Sequence, residues 1–101
     1  MKFRVQFQKD AAKELERLRS VDRSAILEDA DRLLGSNPSL ESQSKVKKLR
    51  QPAPAEFRLR VGDYRIYYKV DVDCVTVLKV LHKADSAEYL EGYGNDDEGN
   101  R

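Results

Sequence analysis

Phe57-Arg58-Leu59-Arg60-Val61-Gly62-Asp63-Tyr64-Arg65-Ile66-Tyr67-Tyr68-Lys69-Val70 decides how this chain folds. The stretch reads as two strands joined by a tight turn at Gly62-Asp63. Successive side chains of a strand point to opposite faces. Phe57, Leu59 and Val61 therefore share one face, and Arg58 and Arg60 the other. In the second strand Tyr64, Ile66, Tyr68 and Val70 alternate with Arg65, Tyr67 and Lys69. One face is apolar, and the other is cationic and carries a tyrosine. A solvated sheet face ordinarily mixes both signs of charge. A face holding Arg58, Arg60, Arg65 and Lys69 suits an anion, and phosphate is the commonest one.

Outward from the hairpin, the chain reads as an α+β domain. Lys2 to Gln8 alternates as a first strand, with Phe3, Val5 and Phe7 on one side and Arg4, Gln6 and Gln8 on the other. Asp10 reads as an N-cap, and Ala11, Ala12, Leu15 and Leu18 recur at helical spacing to about Ser20. A second helix, capped by Ser20 or Asp22, carries Ile26, Leu27, Ala30, Leu33 and Leu34 on a broad stripe and stops at Gly35. The short connection predicts a helical hairpin. Residues 36–55 read as an ordered loop that Val46 and Leu49 pin to the core. A last strand, Cys74 to Leu81, is apolar on both parities and so predicted to be central. The order is strand, helix, helix, three strands, with an antiparallel-dominated sheet packed on the helical hairpin.

At 101 residues, 40% hydrophobic and 37% charged, the chain can build one modest core beneath a heavily charged surface. Its net charge of +1 conceals a polarity. From Ala84 onward six carboxylates face a single cation, which leaves 18 Lys and Arg against 12 Asp and Glu in residues 1–83, a net of +6. The reading is a basic domain over residues 1–90 and an acidic disordered tail over 91–101. Cys74, the only cysteine, reads as a small strand residue, and a reducing cytoplasm is expected. No apolar run is long enough to span a bilayer, and no secretory signal opens the chain, so no membrane partner is expected.

The apolar face, with Phe3, Val5, Phe7, Leu59, Val61, Tyr64, Ile66 and Tyr68, is expected against the helices. The opposite face then displays Arg4, Gln6, Arg58, Arg60, Arg65, Tyr67, Lys69 and Lys79, with Lys47 and Lys48 in the neighbouring loop and His82 at the strand end. There is no metal-ligating spacing, no Gly-rich phosphate loop and no serine nucleophile with a base, so no cofactor is expected. Such a cluster can bind a nucleic-acid backbone. It can also cleave RNA without a metal, because RNA brings its own nucleophile, the 2′-hydroxyl. Arginines neutralise the developing charge, tyrosine can stack a base, and His82 is equally a proton-transfer group or a polar strand terminus.

The hairpin, the preceding strand and two helices, and the later Val77-Leu78-Lys79-Val80-Leu81-His82-Lys83 resemble the RelE/ParE toxin superfamily over about Met1 to Leu90. The resemblance implies a RelE-like toxin of a type II toxin–antitoxin system: a ribosome-dependent mRNA endonuclease held inactive by a cognate antitoxin. The alternatives it carries are a ParE-like inhibitor of DNA gyrase and a weakly active relative that acts mainly through its antitoxin. By the same resemblance the catalytic positions fall on Arg58, Arg60 and Arg65, with Lys83 and Tyr89 supplying the later cation and tyrosine. An alternative register places that cation's position at Ala84 and leaves it vacant. RNA binding is expected of Arg4, Lys47, Lys48, Tyr67, Lys69, Lys79 and His82. Arginine at 58 and 60 is a departure from the family's lysine, because arginine hardly deprotonates and is a poor base.

Overall fold

The alternation of Phe3, Val5 and Phe7 produces an edge strand. In the computed structural model, which describes residues 2–91, β1 spans Arg4–Phe7 and turns those three side chains toward a helical layer. That layer is α1 (Lys9–Glu16) and α2 (Ser20–Asp29), the second running on into a wider π turn over Ala30–Leu34. Ala11 and Leu15 are buried one helical turn apart, as are Ile26, Ala30 and Leu34. The first helix is shorter than its periodicity predicts, and Gln8 rather than Asp10 stands at its N-cap with no side-chain hydrogen bond. Leu27 faces solvent instead of joining the buried stripe. Gly35 does end the second helix. A β-carbon there would meet the Asp31 carbonyl oxygen at 2.4 Å, and the Gly35 carbonyl accepts a 2.7 Å hydrogen bond from the Phe3 N–H.

The sheet has five strands in the order β1-β5-β4-β3-β2, with β2 (Val46–Lys48), β3 (Phe57–Val61), β4 (Tyr64–Val70) and β5 (Cys74–His82). β1 runs parallel to β5, and the other neighbours are antiparallel. Gly62, with φ of 58°, makes the turn between β3 and β4 as the sequence reading requires. β2 is an addition, because it lies within the stretch read as loop. Three residues are too few to show a period, and their pairing with Leu59, Arg58 and Phe57 of β3 draws them into the sheet. Phe57, Leu59, Val61, Ile66, Tyr68, Val75, Val77 and Val80 fill the interface with the helices. The Tyr68 hydroxyl donates a 2.7 Å hydrogen bond to the Pro38 carbonyl, and burial pushes that phenol well above its usual pKa, against a smaller opposing pull from Arg58.

Two further features shape the opposite face. Leu78 is an extra residue in β5, since Tyr68 pairs with Val77 and Tyr67 with Lys79. Glu14 of α1 serves this bulge, accepting from the Val80 N–H at 2.9 Å and from the Lys79 ammonium at 3.0 Å. Beyond β5, a 3₁₀ turn over Lys83–Asp85 leads into α3 (Ser86–Leu90). The tail expected from residue 91 lies outside the described residues from Gly92 onward.

Candidate nucleic-acid interface

Cross-strand register, more than sequence proximity, assembles the cations. Lys47 of β2 opposes Arg58 of β3, and Arg60 of β3 opposes Arg65 of β4. Like charges placed directly opposite each other destabilise a sheet. Two such pairs stand side by side here on the face away from α1 and α2. Arg58 also opposes Tyr67, so Lys47, Arg58 and Tyr67 form one row across three strands. Lys69 lies further along the same face, opposite Thr76. The Arg65 guanidinium folds back onto the turn, donating to the carbonyls of Gly62 and Tyr64 at 3.0 Å each.

This face is not the open surface that the alternation suggests. Leu49, Ala55, Tyr67 and Leu90 form a second small core, with Ala53, Leu78, Leu81 and Tyr89 packed around it. The Tyr67 ring lies 4.9 Å from that of Tyr89 and is 0% exposed. In this conformation it cannot stack a base, contrary to the role expected of it. Arg58 and Arg65 are only 8% and 7% exposed. Arg60 and Lys69 reach solvent, and Lys47 is half-buried. The result is an apolar floor of Tyr67, Tyr89 and leucines bordered by cations.

Four residues expected on this face are placed elsewhere or apart. Lys48 opposes Phe57, so strand alternation sends it to the other side from Lys47, into a cleft of about 400 Å³ with Ser39, Gln51 and Glu56. The bulge directs Lys79 to Glu14 of the helical layer. His82 meets the edge of Tyr64 on the helix side, in a cleft of about 360 Å³ that Arg19, Asp22 and Asp63 also line. Its Nδ1 accepts the Ala84 N–H at 3.0 Å, which satisfies it as a polar strand terminus. Arg4 shares the cationic face but sits three strands from β3, about 14 Å away at the usual strand spacing.

Lys83 stands at the turn end of the sheet. Its N–H donates to the Asp63 carbonyl at 2.7 Å, and its ammonium lies 3.5 Å from the Asp63 carboxylate. Ala84, the position of the alternative register, is exposed and carries no charge. The sequence reading missed Glu14, whose carboxylate holds the bulge, and the floor residues Ala55 and Leu90; Leu49, expected to pin its loop to the core, does so in this second cluster. The apolar residues on both parities of β5 were the available signal for that floor. Chemically, the face can neutralise a phosphate through Lys47, Arg60, Lys69 and the more deeply set Arg58 and Arg65. Among the described residues it offers aromatic surface only at Tyr89.

A family model for the ParE toxin of the type II toxin–antitoxin system parDE matches residues 3–87. Among solved structures, a chain of the toxin–antitoxin complex RelBE2 from Mycobacterium tuberculosis is 28% identical, with a TM-score of 0.70 over 81% of this chain and 99% of that one. A mutant of the Escherichia coli toxin RelE in the free state is 26% identical, with a TM-score of 0.67 over 88% and 90%. A chain of the RelB–RelE antitoxin–toxin complex from Methanococcus jannaschii is 26% identical, with a TM-score of 0.60 over 83% and 96%. No curated protein sequence matches significantly.

Proposed function

The chain belongs to the RelE/ParE toxin superfamily of type II toxin–antitoxin systems, and from that premise we propose that it is a RelE-like endonuclease that cleaves messenger RNA on the ribosome. The observation that carries the reading is the pair of like-charge cross-strand contacts, Lys47 with Arg58 and Arg60 with Arg65. That arrangement concentrates positive charge on one sheet face, which suits a polyanion. In the proposed reaction the 2′-hydroxyl oxygen bonds to the adjacent phosphorus and the bond to the 5′ oxygen breaks. The 2′-hydroxyl proton leaves to solvent, and the departing 5′ oxygen gains one. Arg58, Arg60 and Arg65 stabilise the charge on the phosphorane, Lys83 supplies the proton to the leaving group, and Tyr89 offers a ring to a base. The ribosome contributes the in-line orientation of the RNA.

The antitoxin is the regulatory partner in this scheme, and the site of action is the cytoplasm. No helix among the described residues is long and apolar enough to cross a membrane. A second reading, inhibition of DNA gyrase by binding, is favoured by the ParE identity of the matching family model. It is favoured also by the burial of Tyr67 and the absence of a histidine from the cationic face. The two readings separate in purified assays. The proposal expects mRNA breakage with translating ribosomes and unaffected supercoiling by gyrase. Inhibited supercoiling with intact mRNA would replace it with the second reading.

A further inference from the structure

His82 stands where the chain leaves the sheet and turns back over it. β5 ends there, the 3₁₀ turn over Lys83–Asp85 follows, and α3 then packs on the cationic side of the sheet. The Tyr89 ring of α3 is 4.9 Å from that of Tyr67, and Leu90 shares the second core with Tyr67, which is fully buried. α3 is thus a cover over Tyr67, and both of these rings depend on where it sits.

The segment from Lys83 to Leu90 is attached by contacts of different chemistry. Tyr89 and Leu90 hold its far end by apolar packing. The Lys83 N–H holds its near end through the Asp63 carbonyl, at 2.7 Å. Beside that bond, His82 Nδ1 accepts the Ala84 N–H at 3.0 Å. Among the described helical segments, this turn alone has an N-cap side chain that makes a hydrogen bond to it. Apolar packing and a backbone pair do not titrate, whereas an imidazole does. The cap needs an unprotonated Nδ1, because the Ala84 amide is itself a donor. On protonation both ring nitrogens become donors, and two N–H groups then face each other. Histidine ordinarily changes charge between about pH 5 and 8.

The surroundings do not offset the loss. His82 is exposed, and its ring meets the edge of Tyr64. Arg19 and Asp22 at the start of α2, and Asp63 in the β3–β4 turn, line the same cleft. Arg19 bonds Asp22 at 3.3 Å, and the Lys83 ammonium lies 3.5 Å from the Asp63 carboxylate. Both carboxylates beside the imidazole are therefore already matched by cations. A charged His82 gains no ready partner in exchange for the cap it gives up.

We infer that neutral His82 latches α3 over Tyr67, and that protonation of His82 opens the latch and uncovers the aromatic part of the cationic face. The latch is a property of the fold, so it stands whether this face meets RNA or the chain inhibits gyrase.

Amide hydrogen exchange on the full chain, corrected for the intrinsic pH dependence of exchange, tests it. The comparison is between about pH 8 and about pH 5.5, because carboxylates, which ordinarily titrate near about pH 4, stay ionised across that interval. Protection of the Ala84, Tyr89 and Leu90 amides should fall about fivefold at the lower pH, as for a lost N-cap, while the Ile66 and Tyr67 amides of β4 hold theirs. His82→Asn keeps a capping acceptor that does not titrate, so its protection should be high at both pH values. His82→Phe keeps a ring beside Tyr64 but removes the acceptor, so its protection at Ala84 should be low at both. Equal wild-type protection at the two pH values, or a loss in His82→Asn as large as in the wild type, would overturn the inference. An equal loss at Ile66 and Tyr67 would overturn it too, because the whole domain rather than α3 would then be opening.

Discussion

Arg60 and Arg65 face each other across β3 and β4, yet they call for different experiments. Arg60 is exposed, so Arg60→Ala should remove toxicity while leaving the melting temperature nearly unchanged. Loss of one charge-assisted phosphate contact corresponds to about 1.5–3 kcal/mol, or roughly ten- to a hundredfold in rate if the contact forms in the transition state. Arg65 is buried and holds the turn carbonyls of Gly62 and Tyr64, so Arg65→Ala should lower stability as well as activity. Growth arrest and thermal melting, measured together, separate the two. A fully toxic and well-expressed Arg60→Ala chain would remove that residue from the site. The sequence could show which residues alternate with which, and so it placed Arg58, Arg60, Arg65 and Lys69 on one face. It could not show that Arg58 and Arg65 are buried, because burial depends on tertiary neighbours that alternation along one strand does not specify.

Asp29 gives a pH prediction. Burial opposes its charge, but hydrogen bonds from Lys45 at 2.6 Å and Arg32 at 2.9 Å outweigh that and hold its carboxyl below the usual value. The folded-state pKa is depressed, so the stabilisation is present above the unfolded carboxylate pKa and is lost as pH falls through the folded one. Asp29→Asn should cost about 1–3 kcal/mol at neutral pH, and the difference from the wild type should vanish in acid. Melting curves between neutral pH and pH 2 check this, and a pH-independent difference would contradict it.

Among the elements, α3 is the least secured. It has five residues, no side-chain N-cap bond and a buried Ser86 hydroxyl that meets no hydrogen-bond partner among the described residues. So short a helix persists only through its packing, chiefly Leu90 and Tyr89 on the second core. Leu90→Ala should therefore release α3 locally. Amides of Tyr89 and Leu90 should exchange more than tenfold faster, with those of β4 unaffected. Equal acceleration in β4 would show that α3 is integral to global stability. β2 and α3 were the elements hardest to read from sequence, for the same reason. Neither is long enough to display a period, and each owes its conformation to partners distant in the chain, Leu59 for Val46 and Tyr67 for Tyr89. The bulge at Leu78 was illegible too. It redirects Lys79 to Glu14, and no alternation rule anticipates a residue that breaks alternation. The long hairpin and the helix pair, whose periods repeat several times, were read with the correct type and order.

At the scale of the whole molecule, the excess of cations in residues 1–83 is displayed on a sheet face whose rim is Lys47, Arg60, Lys69 and, further off, Arg4. If these four side chains each neutralise one phosphate of a single strand, log affinity against log salt should slope at about −3. A slope near zero would mean that RNA does not meet this face. The central claim is cleavage of messenger RNA on the ribosome by these cations. It is tested most directly by adding the purified chain to ribosomes translating a defined message and mapping the RNA ends. The account predicts breaks that carry a 5′-hydroxyl, appear only while ribosomes translate, and disappear with Arg60→Ala. An intact message at concentrations of the chain that arrest growth would contradict it.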